Sequence, residues 1–365
     1  MTTRLIRCLK HLEATGFFSC SSDATTPNIK LLSHGSAYAQ QLQQHWLKMR
    51  HLAVNLDSHS STETLSLSRF GFVHSQLFSQ HFQQLRKLHP SKAKCPTLLK
   101  QQHTSETNNN HHTIFQPAQP VTHLITDFFV EPHRGLEHFY NVQRESKIWW
   151  MRYSSNPSRY AIVPQPDLEK PADSQAIDIR ASFGQAGSVT VEQLSLVHLP
   201  TENKDFQLPD ARIGIPHSPA VIRSVIELEP ASCALLLDGC DHGRETRSLL
   251  LNRVLAPYQC AVAGIQKTEH SSEDLHDLCA HVSDVLLRAR LRLQTEGYAL
   301  STDSAQLTKQ LETFDRLGVP YTLLLDDQQT LSNGLLQLRS RDTQLAETVH
   351  ISDLPDYLLN IFRDY

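Results

Sequence analysis

The hydrophobic period of this chain changes once, near residue 256, and the change restricts it to two different kinds of layer in succession. Before it, Ile177, Ile179, Ala181 and Phe183 alternate with Asp178, Arg180 and Ser182. Val189, Val191, Val197 and Leu199 continue that period of two beyond Gly184–Gly187, so a β-hairpin with one buried face is predicted. KIWWMRY and RYAIV flank SSNPS and read as a further strand pair, and VIRSVIELE (221–229) and SCALLLDG (232–239) as two more. Short strands joined by turns, with no helix between them, predict an antiparallel sheet. After residue 256 strands alternate with helices. QCAVAGI is a strand. A capping box at Ser271 to Asp274 opens a helix carrying Leu275, Leu278, Val282, Val285, Leu286, Ala289 and Leu293, which Gly297 stops. YAL is a short strand, and Asp303 and Gln306 cap a helix bearing Leu307, Leu311, Phe314 and Leu317. YTLLL and LLQLRSRD then pair around Asn333-Gly334, and Ser352 opens a last helix. The order β-α-β-α-β-β-α is a compact α/β domain.

The N-terminus differs from both regions. Arg4, Arg7 and Lys10 precede the first acid, Glu13, and Leu5, Ile6, Leu9 and Leu12 can share a helical face. This basic, acid-poor amphipathic character is that of a mitochondrial presequence. Residues 36–49 read as a helix with Tyr38, Leu42, Trp46 and Met49 on one side. Within 81–112, Arg86, Lys87, Lys92, Lys94 and Lys100 face only Glu106, and this basic stretch is either a solvated linker or an arm that contacts phosphate. Residues 1–255 hold 25 Lys+Arg against 22 Asp+Glu, whereas residues 256–365 hold 9 against 16. The last third is therefore a poor electrostatic partner for nucleic acid.

Several chemistries are excluded or left without support. No apolar run reaches the ~20 residues of a membrane-spanning helix. The chain has only 13 glycines and neither a GxxxxGK[ST] nor a GxGxxG loop, so a P-loop or dinucleotide site is not expected. Seven scattered cysteines without a CxxC pair argue against a disulfide framework or zinc ribbon. His276-x-x-Cys279-x-His281 has metal-like spacing, but its two histidines diverge on a helix. Asp167-Leu168-Glu169 lies among prolines, Asp326-Asp327 reads as a polar turn, and there is no GxSxG. Trp149 and Trp150, read as alternating out of a strand, would place one ring in the core and one toward a groove or partner, but the preferred reading is two packed aromatics. No metal, cofactor or catalytic residue is expected.

LGVPYTLLLD, NGLLQLRSRDT and VHISDLPDYL together resemble the anticodon-binding domain of class IIa aminoacyl-tRNA synthetases. They resemble still more one branch of it, the accessory subunits of mitochondrial DNA polymerase (polymerase gamma), in a short form. IWWMRYSSNPSRY, HGSAYAQQLQQHW and RVLAPYQCAV resemble upstream segments of that family. The resemblance implies an α+β chain: a mitochondrial presequence or disordered N-terminus over 1–30, a degenerate class II synthetase-like antiparallel-sheet body over 31–255, and an anticodon-binding-like α/β domain over 256–365. In LLLDGCDHGRETRSLL, Gly239, Gly243 and Arg244 match the synthetase pattern, but Asp238, Asp241 and His242 do not suit an ATP site. A non-catalytic body follows.

The family likeness implies a mitochondrial protein that binds the catalytic polymerase subunit and primer-template or double-stranded DNA, with no membrane. Residues 50–130 are too short and proline-broken for the family's long dimerising helical pair, so a one-to-one heterodimer is expected. Candidate polymerase contacts are Gly334, Leu335, Gln337, Arg339 and Arg341, read as the exposed face of one strand; candidate DNA contacts are Arg86, Lys87, Lys92, Lys94 and Lys100. The alternatives are a working class IIa synthetase, or an RNA- or tRNA-binding module derived from one.

Overall fold

In the computed structural model the described residues are 3–21, 27–49, 54–55, 69–91, 93–105, 114–118, 120–165, 171–200, 204–210, 212, 214–242, 248–268, 272–294 and 300–363. The segment with presequence character is helix α1 (Thr3–Ala14), and the spacing that makes it amphipathic also buries it: Leu5, Cys8, Leu9 and Leu12 are all in the core. Where disorder is expected over 1–30, α1 is thus followed by strand Phe18–Ser21, paired antiparallel with Asn28–Leu31. Helix α2 (Ser33–Met49) buries Tyr38, Leu42 and Trp46 at a spacing of four.

The predicted antiparallel sheet has seven strands. In chain order they are β1 (Val54–Asn55), β2 (Thr97–Ser105), β3 (Val121–Val130), β4 (Tyr160–Pro164), β5 (Gln175–Ser182), β6 (Ser188–His198) and β7 (Ala220–Glu227), arranged β1-β2-β3-β7-β6-β5-β4. Only β1 runs parallel to its neighbour. Two helices lie within this region, α3 (Gln76–Leu88) and α4 (Gly135–Tyr153). KIWWMRY belongs to α4, not to a strand. Its seven residues are too few to show a period, whereas Phe139, Val142, Ser146, Trp149, Trp150 and Tyr153 are buried at helical spacing. Both tryptophans are therefore in the core and neither faces a groove.

SCALLLDG is likewise helical, in α5 (Leu228–His242). Residues 231–240 are buried on every side, so burial leaves no amphipathic period from which a helix could be read.

The C-terminal region follows the predicted order with local corrections. Strand β8 (Cys260–Ile265) is flanked in parallel by the short β9 (Leu293–Gln294) and β10 (Leu300–Ser301) and by β11 (Tyr321–Asp326). Strands β12 (Leu335–Ser340) and β13 (Ala346–His350) extend the sheet antiparallel. Helix α6 (Ser272–Arg288) ends before Leu293, which lies in β9 rather than on the helix; Ser271 and Gly297 lie outside the described residues. Helix α7 (Ser304–Arg316) starts as read, Asp303 Oδ1 accepting from the Gln306 amide at 2.7 Å. The link from β11 to β12 is a helical turn, α8 (Gln329–Asn333), with Gly334 as its left-handed cap. Helix α9 (Leu354–Arg363) closes the chain. One core (Leu275, Val282, Leu286, Leu336, Leu338, Leu358) joins α6 and α9 to one sheet face, and a smaller one (Ala261, Ala263, Phe314, Val319) joins α7 to the other.

Contacts divide the chain into two units. The first is Met1–Thr2, Phe18–Leu32 and Leu42–Ala234; the second is Thr3–Phe17, Ser33–Gln41 and Leu235–Tyr365. This differs from a boundary at 255/256, because α1, the start of α2 and most of α5 go with the second unit.

His123 supplies a pH test of the first unit. It is wholly buried in β3, with Nε2 2.8 Å from Ser105 Oγ. Burial lowers its pKa from 6.5, partly opposed by the Glu227 charge. The unfolded chain then binds the proton more readily, so this stabilisation is present above pH 6.5 and lost below it. The denaturant midpoint should fall between about pH 7 and pH 5, and His123→Gln should flatten that fall. An equally steep fall in the variant would assign the titration to other groups.

Candidate functional site

The centre of the first sheet carries charge. Asp127 in β3 stands directly opposite Arg223 in β7. Arg223 donates to both carboxylate oxygens at 2.7 Å, and Gln101 adds a bond of 3.0 Å to Oδ2. The guanidinium lies 3.8 Å from the Phe72 ring centroid and 5.5 Å from that of Phe78, both within the aromatic core that α3 brings to this face. Beside it is a cavity of about 20 Å³ lined by Arg69, Phe72, Gln193, Leu194, Ser195, Arg223 and Val225. Small-molecule sites measure ~300–1,000 Å³, so this space cannot admit a nucleotide.

The opposite face is closed around Glu192, which accepts from Ser146 Oγ (2.9 Å), Trp150 Nε1 (2.7 Å) and Ser224 Oγ (2.6 Å). On the same face as Arg223, Asp178 of β5 pairs with Arg69 at 2.6 Å and Arg180 at 2.7 Å. Asp127, Arg223, Glu192 and Arg69 are not among the sequence-derived candidates, and Asp178, Arg180 and Trp150 enter the sequence reading only through their alternation. The available signal was a charge inside an apolar run, Asp127 in LITDFFV and Arg223 in VIRSVI.

The metal-like and acidic motifs assemble no site. Among the described residues no group of three or more His, Cys, Asp or Glu could hold a metal, and Cys279 is buried with its thiol raised to about 11 by burial. Asp326 and Asp327 cap turns: Asp326 Oδ1 accepts from the Gln328 amide at 2.7 Å, and Asp327 Oδ2 from the Thr268 amide at 2.7 Å. Residues 167–169, Gly243 and Arg244 lie outside the described residues. A Cβ at Gly239 would stand 2.6 Å from the Leu250 carbonyl oxygen, so close backbone approach accounts for this glycine.

The basic arm is only partly a surface. Arg86 and Lys87 are exposed at the end of α3, Arg86 donating to the Asp205 carbonyl at 3.1 Å, and Lys94 is exposed as well. Lys92 lies outside the described residues. Lys100 is buried in β2 and donates to the Leu47 carbonyl, so it cannot reach a phosphate. A charge count along the chain does not see which way a strand residue points.

The strand proposed as a polymerase-facing surface is also mixed. Leu335 is exposed and Gln337 half-buried, the latter donating to Thr348 Oγ1 at 2.9 Å. Arg339 and Arg341 are not on an exposed face. Arg339 makes a two-point pair with Asp315 of α7, at 2.9 and 2.7 Å. Arg341, 4% exposed, donates to the carbonyls of Leu249 (3.0 Å), Gly318 (2.8 Å) and Leu251 (2.9 Å) and pairs with Asp342 at 2.6 Å. Beside them is a groove of about 790 Å³, walled by Thr308, Leu311 and Glu312 of α7 and floored by Arg339 and Asp315. Gly334 has φ +68°, and a Cβ there would lie 2.6 Å from His350 Nε2.

These geometries separate structural from surface roles. Arg339→Ala strands a buried carboxylate and should cost ~3–5 kcal/mol in denaturant unfolding. Leu335→Ala and Gln337→Ala should each stay within about 1 kcal/mol. Equal losses in all three would place Arg339 at the surface with the others.

Residues 259–361 match the family model of the anticodon binding domain. Over 99% of its length the chain is 56% identical to DNA polymerase subunit gamma-2, mitochondrial, of Drosophila melanogaster, all of which is covered. It is 28% identical to the subunit of that name from Xenopus laevis over 59% of this chain and 48% of the frog protein. A glycine–tRNA ligase of Alkaliphilus oremlandii is 24% identical over 64% of this chain and 50% of the ligase. The chain thus spans about half the length of the frog and ligase relatives and the whole of the fly one. With a synthetase-like antiparallel sheet and an anticodon-binding domain in one polypeptide, it belongs to the family of mitochondrial DNA polymerase gamma-2 subunits.

Proposed function

We propose that this chain is the non-catalytic accessory subunit of the mitochondrial DNA polymerase, working in the matrix nucleoid. It would hold the catalytic subunit on primer-template and so raise processivity through effective concentration. The full-length likeness to the fly subunit carries this reading. A non-catalytic role is supported by the first unit, where the Arg223–Asp127 pair and its aromatic cover occupy the centre of one sheet face and the cavity beside Arg223 measures only about 20 Å³. A working synthetase is the weaker alternative, its ligase likeness being distant and partial. Amino-acid-dependent ATP–pyrophosphate exchange by the purified chain should be at background; robust exchange would establish the synthetase instead.

The second unit is the proposed polymerase-binding element, through Gly334, Leu335 and Gln337 and the adjoining groove. Arg339 and Arg341 would shape that surface from beneath. DNA contact is assigned to Arg86, Lys87, Lys94 and Lys92, and the complex is one-to-one. Leu335→Asp combined with Gln337→Glu should reduce co-purification with the catalytic subunit and shorten primer-extension products while leaving the melting temperature near wild type. Unchanged products across a salt titration would move the surface elsewhere. Arg86, Lys87 and Lys94 changed together to Ala should flatten the log–log salt dependence of duplex binding by about one unit per lost phosphate contact. An unchanged slope would make them solvated charges.

A further inference from the structure

Helix α1 carries two patterns at once. Arg7 and Lys10 are exposed on the side away from the core, with no acid before Glu13, which is the basic face of an import signal. The other side is packed: Leu5, Cys8, Leu9 and Leu12 are 0–6% exposed. The packing is reinforced at both ends of the segment by partners in the second unit. Arg4 Nε lies 2.5 Å from Asp241 Oδ1, and the His11 ring donates to the Arg316 carbonyl at 3.3 Å. The Thr15 carbonyl accepts from His34 Nδ1 at 2.7 Å, and fully buried Phe17 meets the His34 ring at 5.7 Å, which in turn meets Tyr258 edge-on. Along the helix the Cys240 thiol donates to the Cys8 carbonyl at 3.9 Å.

A removable leader has no need of such partners. Excising residues 3–17 would uncover the apolar surface they meet on the second unit and leave Asp241 and His34 without the partners just named. We infer that α1 acts twice: as the import signal while the chain is unfolded, and afterwards as a permanent core helix of the second unit that processing does not remove. Folding hides the apolar stripe that the import machinery reads, so the two uses are separated in time. The import half rests on the mitochondrial placement proposed above; the core half does not.

The test uses the full chain with a C-terminal tag. Recovered from purified mitochondria, it should yield peptides covering residues 3–17 in the same amount as the rest of the chain. A mature terminus at residue 18 or later would overturn the inference. Leu9→Asp, supplied with a foreign cleavable leader so that import is assured, should melt about 10 °C or more below the same fusion with wild-type α1. Melting within about 2 °C would overturn the core role. Arg7→Glu with Lys10→Glu should lower import several-fold at unchanged melting temperature, and the foreign leader should restore it. Undiminished import would overturn the signal role. Absence of the wild-type chain from mitochondria would remove the import half and the placement together, with the melting comparison still deciding the core half.

Discussion

The ion pair between Arg223 and Asp127 organises the first unit. A desolvated guanidinium and carboxylate on adjacent strands are tolerated only when they are well partnered: here the carboxylate accepts from Arg223 Nε and Nη2 and from Gln101, and the Phe72 and Phe78 rings lie beside the guanidinium. Breaking the pair would cost ~3–5 kcal/mol. Its position has a second consequence. The sheet face that could have been an open ligand floor is covered by the aromatic residues of α3 and the turn before it.

The second unit uses the same device for another purpose. Arg341 satisfies carbonyls of Leu249, Leu251 and Gly318, groups at irregular chain positions that no ladder would otherwise reach. Arg339 ties β12 to α7 through Asp315. The R-S-R-D run on which the family resemblance partly rested is thus chiefly a lock on the fold. The surface above it is left to smaller side chains: Gly334, which must be glycine at φ +68° beside His350, and Leu335 and Gln337. Such a division suits the proposed binding role, because the residues proposed to make contact sit on a rigid support.

Charge separates the two regions in a way that fits the proposed division of labour. The last 110 residues carry an excess of seven acids, unfavourable for DNA and acceptable for a protein partner. The exposed cations proposed for DNA contact, Arg86, Lys87 and Lys94, stand at the end of α3 and just beyond it, while Lys30, Arg144, Arg152 and Arg212 are exposed elsewhere on the first unit. Helix α1 belongs to neither pattern: it is a basic helix whose apolar side serves the core of the acidic unit.

Much was legible in the sequence alone. Alternation in 177–199 identified β5 and β6, the helical repeats after 271 identified α6, α7 and α9, and Asp303 with Gln306 marked the start of α7. These signals are local, since each comes from one element with one wet and one dry side. The family likeness was legible too, in NGLLQLRSRDT and IWWMRYSSNPSRY. What the sequence misassigned were the segments buried on all sides or too short to show a period, α5 and the end of α4. It also misjudged the direction of individual charges. Lys100, Arg339 and Arg341 count as surface cations along the chain, yet each points inward to a carbonyl or carboxylate contributed from elsewhere. Asp127 and Arg223 are 96 residues apart, and Arg341 and Leu249 are 92 apart. No local pattern records such pairings, because the partner that makes a buried charge affordable is supplied only when the strands and helices have packed.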